Sequence, residues 1–378
     1  MKHSNLLLIA SLFTLAACEQ NLPSDKIFIL TEENMPPVQT IEVEPVNLPD
    51  VDECINARFF VYQDSILLIE QNNDAFPWKM YTMNMNSGGF MGHYLHKGNG
   101  PGEVINCFLS LQRNQLMAHD GYKNNLFFFN LDSLMVYGQA YKPKIMQPDI
   151  LVDYYDFLTD TSLLICNTDY LDMDGRPENA TVPELLVTDA NGKTDYKAPN
   201  GIHSAANLCH TKLATNIKKD RIFLGYWYKP QLTVLDTKLD TVKIIFGPDM
   251  RKKSKYKSGH DAKQIIKDNS SQKHVISLLS TEECLFVVLD TVWPKRTPAP
   301  FDRNEVIKWS ADYSKLTMEL HLEIYKFDWD GNLIARYRQK TGNRIVYIAG
   351  YSEPTNTLYV MIDSESGEWK LAKIKLDK

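Results

Sequence analysis

The 378-residue chain predicts an all-β fold: a six-bladed β-propeller closed by an N-terminal strand and preceded by a signal peptide and a polar tether. Three observations carry that expectation. Short apolar runs are separated by turn chemistry at a recurring step, the middle runs are apolar throughout, and the last repeat is one strand short. Nineteen tyrosines and sixteen phenylalanines against eighteen glycines fit a β-rich composition.

Residues 1–17 read as an address. Lys2 and His3 give a positive start, and Leu6 to Ala17 are apolar apart from Ser11 and Thr14. The run is too short for a permanent span, which needs about twenty apolar residues, and it has the layout of a secretory signal. Leu15-Ala16-Ala17-Cys18 resembles the lipobox of bacterial lipoproteins. That resemblance implies diacylglycerol on the Cys18 thiol, cleavage before it, and attachment to a membrane through the lipid. Glu19 replaces the Asp that marks inner-membrane retention, which favours the outer membrane; which face of it the protein occupies is left open. Residues 18–37 are expected to be a flexible tether, with trimming of 19–34 changing thermal stability very little, and 38–378 the propeller.

The corners follow in order. Asn86-Ser87-Gly88-Gly89, Asp132-Ser133, Asp189-Ala190-Asn191-Gly192, Asp236-Thr237 and Asp328-Trp329-Asp330-Gly331 each follow a strand-like run. Asp and Asn cap turns with their own side chains, and Gly accepts positive φ, so these are hairpin corners. They stand roughly 46, 58, 47 and 93 residues apart, and a step in the forties matches one four-stranded blade. The double step holds only four strands, so it is one blade lengthened by insertions near 249–273 and 293–316. Ile66–Ile69, Leu126–Phe129 and Leu285–Leu289 are continuously apolar, as sheets covered on both faces require. After Ile345–Tyr351 and Leu358–Ile362, Trp369–Leu376 is only a third strand, and Gln39–Glu44 is the expected fourth. The competing arrangement is a two-domain β protein with irregular hairpins.

A net charge of −6 carries no basic character that would point to nucleic acid. Beyond Cys18, Cys54, Cys107, Cys166, Cys209 and Cys284 are scattered without a C-x-x-C pair. Cys166 and Cys284 sit in apolar runs and are expected as buried thiols.

Gly98-Asn99-Gly100-Pro101-Gly102-Glu103 precedes the second repeat. This G-x-G-P-G-E segment resembles one in the TolB-like six-bladed propeller lipoproteins of Gram-negative bacteria, where it lies in the first outer-to-inner strand connection. The resemblance implies a propeller fold and an envelope location, and no activity. Physically the glycines permit tight bends and Pro101 fixes φ. The functional alternative has the loop's backbone N–H groups holding an anion.

No catalytic constellation is recognisable. Asp172-Met173-Asp174-Gly175 lacks the outer ligands of a calcium loop, with Tyr170 and Thr181 in their places. His203, His210, His93 and His96 fall in no zinc-hydrolase spacing. His119-Asp120, near a strand end, is the first candidate for a metal in a central channel. The first insertion carries Arg251, Lys252, Lys253, Lys255 and Lys257, a possible site for an anionic glycan or lipid head groups. The second offers Trp293, Phe301 and Trp309 for stacking. The reading is a lipid-anchored envelope propeller that binds a protein or glycan without cofactor or catalysis. The alternative is a propeller hydrolase or lyase with a channel metal.

Overall fold

A computed structural model describes residues 24–48, 57–71, 75–112, 114–149, 152, 154–159, 162–166, 185–196, 212–225, 231–246, 273–291, 323–339, 344–363 and 369–376. Among the described residues, twenty-six strands form six sheets. Blade 1 is β4 (Arg58–Tyr62), β5 (Ile66–Glu70), β6 (Trp78–Asn84) and β7 (Phe90–His96). Blade 2 is β8 (Phe108–Gln112), β9 (Gln115–Asp120), β10 (Asn125–Asn130) and β11 (Lys144–Met146). Blade 3 is β12 (Tyr154–Thr159), β13 (Ser162–Cys166), β14 (Leu185–Thr188) and β15 (Thr194–Tyr196). Blade 4 is β16 (Lys212–Asn216), β17 (Arg221–Gly225), β18 (Gln231–Leu235) and β19 (Thr241–Phe246). Blade 5 is β20 (Lys273–Ser280), β21 (Cys284–Thr291), β22 (Glu323–Asp328) and β23 (Leu333–Gln339). Blade 6 has β24 (Arg344–Ser352), β25 (Thr357–Asp363) and β26 (Trp369–Lys375). The protein is a six-bladed propeller.

The core lies between blades. One buried cluster joins Phe60 and Leu68 of blade 1 to Leu109 and Phe127 of blade 2, and another joins Met117 and Phe128 to Leu163 and Ile165 of blade 3. Equivalent clusters fill the next three interfaces, and Phe59 and Leu67 meet Ala349 and Met361 to close the ring. This packing explains the unbroken apolar middle strands: Ile66–Ile69 and Leu285–Leu289 bury both faces. Cys107, Cys166 and Cys284 are buried, reduced thiols.

The double step is one blade, since β20 to β23 form a single sheet. Four expected corners are hairpins between third and fourth strands. Asp189 accepts from the N–H groups of Asn191 (2.8 Å) and Lys193 (3.0 Å), and Asp236 from Lys238 and Asp240 (both 2.9 Å). The fifth is corrected: Asp132-Ser133 is no hairpin corner but the first turn of helix α1 (Leu131–Tyr137). The Asn130 side chain caps it by accepting from Ser133 N at 2.9 Å, while Leu131 and Leu134 face inward at helical spacing.

Closure differs in detail from the expectation. The N-terminal segment threads three blades in turn. β1 (Ile27–Ile29) adds parallel to β19, with Ile27 opposite Ile244. β2 (Val38–Ile41) adds parallel to β23, with Val38 opposite Arg336. Only β3 (Glu44–Pro45) reaches blade 6, pairing antiparallel with Ala372 and Lys373. The strand expected over Gln39–Glu44 therefore divides between blades 5 and 6. Pro45 lacks an N–H and limits the last pairing, while Pro36 and Pro37 interrupt the ladder between β1 and β2.

The tether expected over 18–37 is corrected from residue 24 onward. Lys26 Nζ donates to Thr241 O at 2.6 Å, Leu30 N to Phe246 O at 2.7 Å, and Leu30 and Met35 are buried. Arg336 pairs with Glu32 at 3.1 Å. Ile27-Phe28-Ile29-Leu30 is an apolar run in a polar stretch; Leu30 is buried with residues of blades 4 and 5, Ile27 and Phe28 are half-buried, and Ile29 stays exposed.

Candidate functional site: the loop face and the motif connection

Antiparallel blades sort their connections onto two faces. First-to-second and third-to-fourth strand connections share one face, and all are two to five residues long except 131–143. Second-to-third connections and links to the next blade share the other face. The loop 97–107 lies there, and the strands flanking 167–184, 197–211, 247–272 and 292–322 end there. We call these the corner face and the loop face. At the corner face Ser280 Oγ donates to Gln112 Oε1, both side chains buried. These residues end the innermost strands of blades 5 and 2, on opposite sides of the ring, so their contact closes that end of the central channel.

The motif connects the outer β7 to the inner β8. Val104 N donates to His96 O and Gly98 N to Val104 O, both at 2.9 Å, bringing the two ends of the loop together. Inside it the Glu103 carboxylate turns back on the glycines. It accepts from Gly100 N at 2.7 Å and lies 3.2 Å from His96 Nδ1. A Cβ at position 98 would stand 2.1 Å from Glu103 Oε2, which is why glycine is needed there, and Gly102 has φ +78°. Lys123 completes the lock by donating to the carbonyls of Gly98 (2.8 Å), Glu103 (2.9 Å) and Gly100 (3.2 Å). The space where a bound anion would meet the loop's N–H groups thus holds the protein's own carboxylate, which supports the backbone-control reading.

Hydrogen bonding from Gly100 N, and then from His96, holds the Glu103 carboxyl below its ordinary pKa. A depressed carboxylate contributes to the native state above the ordinary carboxylate range, and the contribution is lost as pH falls through the lowered value. Amide exchange across 97–107, corrected for intrinsic rates, should therefore accelerate relative to the blades as the solution is acidified. In Glu103→Gln that acid dependence should vanish. An unchanged acid response in the variant would assign it to another group.

Among the described residues, His119 and Asp120 belong to no group placed to hold a metal ion. Asp120 is buried and accepts from Ile105 N (2.9 Å), Tyr122 N (3.1 Å), Lys123 N (3.3 Å) and Asn106 N (3.5 Å). These bonds join its own turn to the motif connection and leave its oxygens turned to backbone. His119 is buried edge-on to Tyr155, ring centroids 6.1 Å apart. Among the described residues no three His, Cys, Asp or Glu side chains are placed to hold a metal ion.

Other acids staple neighbouring blades. Glu70 accepts from Leu109 N of blade 2 and pairs with Arg58 at 3.3 Å. Asp156 of blade 3 accepts from Thr215 N at 2.7 Å and from its hydroxyl at 2.9 Å. Their carboxylates act in assembly.

Sequence reasoning missed two exposed aromatics on the loop face. Phe108 opens β8 with 46 % exposure, and Tyr122, on the turn after β9, reaches 75 %. They flank Gly121, where a Cβ would sit 3.4 Å from the Phe108 ring. Asp120-Gly121 and Asn124 are turn signals that could have pointed to this turn, but nothing in the sequence places it beside the motif loop. Cys18, residues 170–181, His203, His210, the basic set Arg251, Lys252, Lys253, Lys255 and Lys257, and Trp293, Phe301 and Trp309 lie outside the described residues. The strands flanking both insertions enter and leave them on the loop face. No described helix is long and apolar enough to cross a membrane.

No protein-family model matches the chain, and no curated protein matches it. Among solved structures, it is similar to a presumed exported protein from Bacteroides fragilis NCTC 9343, with TM-score 0.55 and 15 % identity over 93 % of this chain and 99 % of that one. It is also similar to a member of the DUF4221 family from Bacteroides vulgatus, with TM-score 0.54 and 9 % identity over 92 % and 100 %. At such identities the likeness is one of fold, and it spans the whole propeller.

Proposed function

We propose that this is a lipid-anchored envelope protein of the TolB-like propeller kind, attached to the outer membrane through Cys18, which binds a glycan or protein ligand on its loop face without catalysis. The observation that carries the reading is the separation of the two faces. Apart from 131–143, one carries tight hairpins over a closed channel end, and the other carries the motif loop, the exposed Phe108 and Tyr122, and the strand ends that flank the long connections. Loops on a rigid scaffold are where binding surfaces are usually built. Flat, half-exposed aromatic rings suit a sugar face or an aromatic side chain. The signal-like start with Cys18 at its cut site supports export, as does the likeness to a protein described as exported.

The test is binding of the mature chain to arrays of bacterial surface glycans and of envelope peptides, alongside a turnover screen with ester, lactone and glycan substrates. A ligand should emerge whose affinity falls at least about tenfold, or about 1.4 kcal/mol, in Phe108→Ala/Tyr122→Ala, with the melting temperature retained. Steady turnover dependent on a tightly bound metal would favour the hydrolase or lyase reading instead.

A further inference from the structure

We propose that the corner face of blades 1 and 2 rests on the lipid surface to which Cys18 is tethered, so that the loop face points away from the membrane. The inference builds on the lipoprotein reading and adds an orientation to it. β19 leaves the corner at Asp236–Asp240 and runs towards the loop face, and β1 lies parallel to it. The N-terminal strap therefore starts at the corner face, where Lys26 is fixed to Thr241 O at 2.6 Å. Only five residues separate Cys18 from Ser24, six steps along the chain and a reach of at most about 20–22 Å. A lipid on Cys18 thus approaches the propeller from the corner side.

On that same face lies a cluster of exposed apolar side chains. β7 begins there with Phe90 (59 % exposed) and Met91, and α1 presents Met135, Val136 (77 %) and Tyr137 (65 %). The two elements are held together. Gln139, just beyond α1, accepts from His93 N at 2.9 Å and donates to His93 O, taking the place of a neighbouring strand on the edge of β7. Leu131 and Leu134 anchor the other side of the helix in the core. A fixed helix with an apolar outer side that ends in tyrosine suits the boundary between head groups and acyl chains. The corners of blades 1 and 2 hold two acids, Asp64 and Asp132, which accept from Thr355 and Tyr62, whereas those of blades 3 to 5 carry Asp189, Asp236, Asp240, Asp328 and Asp330 among lysines such as Lys193, Lys218 and Lys238. A tether of about 20 Å lets that side stand off by more than the screening length of about 8–10 Å. Contact through blades 1 and 2 is then compatible with an acidic rim elsewhere.

Hydrogen exchange on the lipidated full chain, in phosphatidylcholine vesicles and in detergent-free solution without them, tests the orientation. Vesicles should slow exchange in 131–141 by about tenfold or more and leave 97–107 unchanged. In Val136→Asp/Tyr137→Asp the slowing should disappear while the lipid keeps the protein on the vesicles. Mass analysis of the same sample separates the two claims. Lipid on Cys18 without slowing in 131–141, or with slowing on the loop face, overturns the orientation alone. Absence of lipid overturns the anchoring reading and the orientation together. Slowing that follows protein concentration without vesicles would identify a second copy as the occupant and also overturn the proposal.

Discussion

Removal of residues 369–378 should turn a stable protein into an aggregating or protease-sensitive one. The segment holds β26, paired along its length with β25 from Asp363 opposite Trp369 to Thr357 opposite Lys375. Leu371 belongs to the cluster that closes blade 6 on blade 1, while Ala372, Ile374 and Leu376 lie in the cluster between blades 5 and 6. Burying each large aliphatic side chain contributes roughly 1.5–3 kcal/mol, against a typical domain stability of about 5–15 kcal/mol. The deletion also strips β3 of its partner and leaves β25 as an open edge, which invites pairing between molecules. Thermal unfolding and limited proteolysis read the effect. Equal melting temperatures for the full and truncated chains would contradict a closed ring.

A chain beginning at residue 36 should likewise melt well below one beginning at residue 19. The difference removes β1, the Lys26–Thr241 bond, the Glu32–Arg336 pair, and the buried side chains of Leu30 and Met35. Arg336 has only 4 % side-chain exposure, and loss of Glu32 would leave it beside Glu323 alone among the pairs seen. Leu30→Ala by itself should cost about 2–5 kcal/mol, the usual range for a buried leucine. If the two chains melt together, 24–35 is a passive tether after all and the parallel pairing carries no stability.

The fold was largely legible because its signals are local. An unbroken apolar run such as Leu126–Phe129 needs cover on both faces, and stacked blades supply it. Corners such as Asp189–Gly192 carry their turn in their own side chains. What escaped were features that depend on partners far away or on shared local chemistry. The groups that cap a turn also cap a helix, so Asp132-Ser133 alone could not reveal α1; the inward spacing of Leu131 and Leu134 was the remaining signal. The strap depends on Lys26 meeting Thr241, 215 positions away, and no period in the sequence encodes that meeting.

The candidate site was legible to a smaller degree. The glycines of the motif announced a tight loop, and Pro101 its rigidity. Glu103 turns back on Gly100 within the loop, which several loop conformations would allow, and Lys123 ties the loop to the next turn through bonds that cross between elements, so neither is encoded by local spacing. Phe108 and Tyr122 looked like ordinary strand and turn residues until the blades placed them together on the loop face.

The central claim, a propeller held at a membrane by its own N-terminus, is tested most directly by mass spectrometry of the mature protein from its native envelope. The account predicts Cys18 as the first residue, carrying a diacylglyceryl group. A mature terminus at any other residue, or an unmodified Cys18, would contradict it.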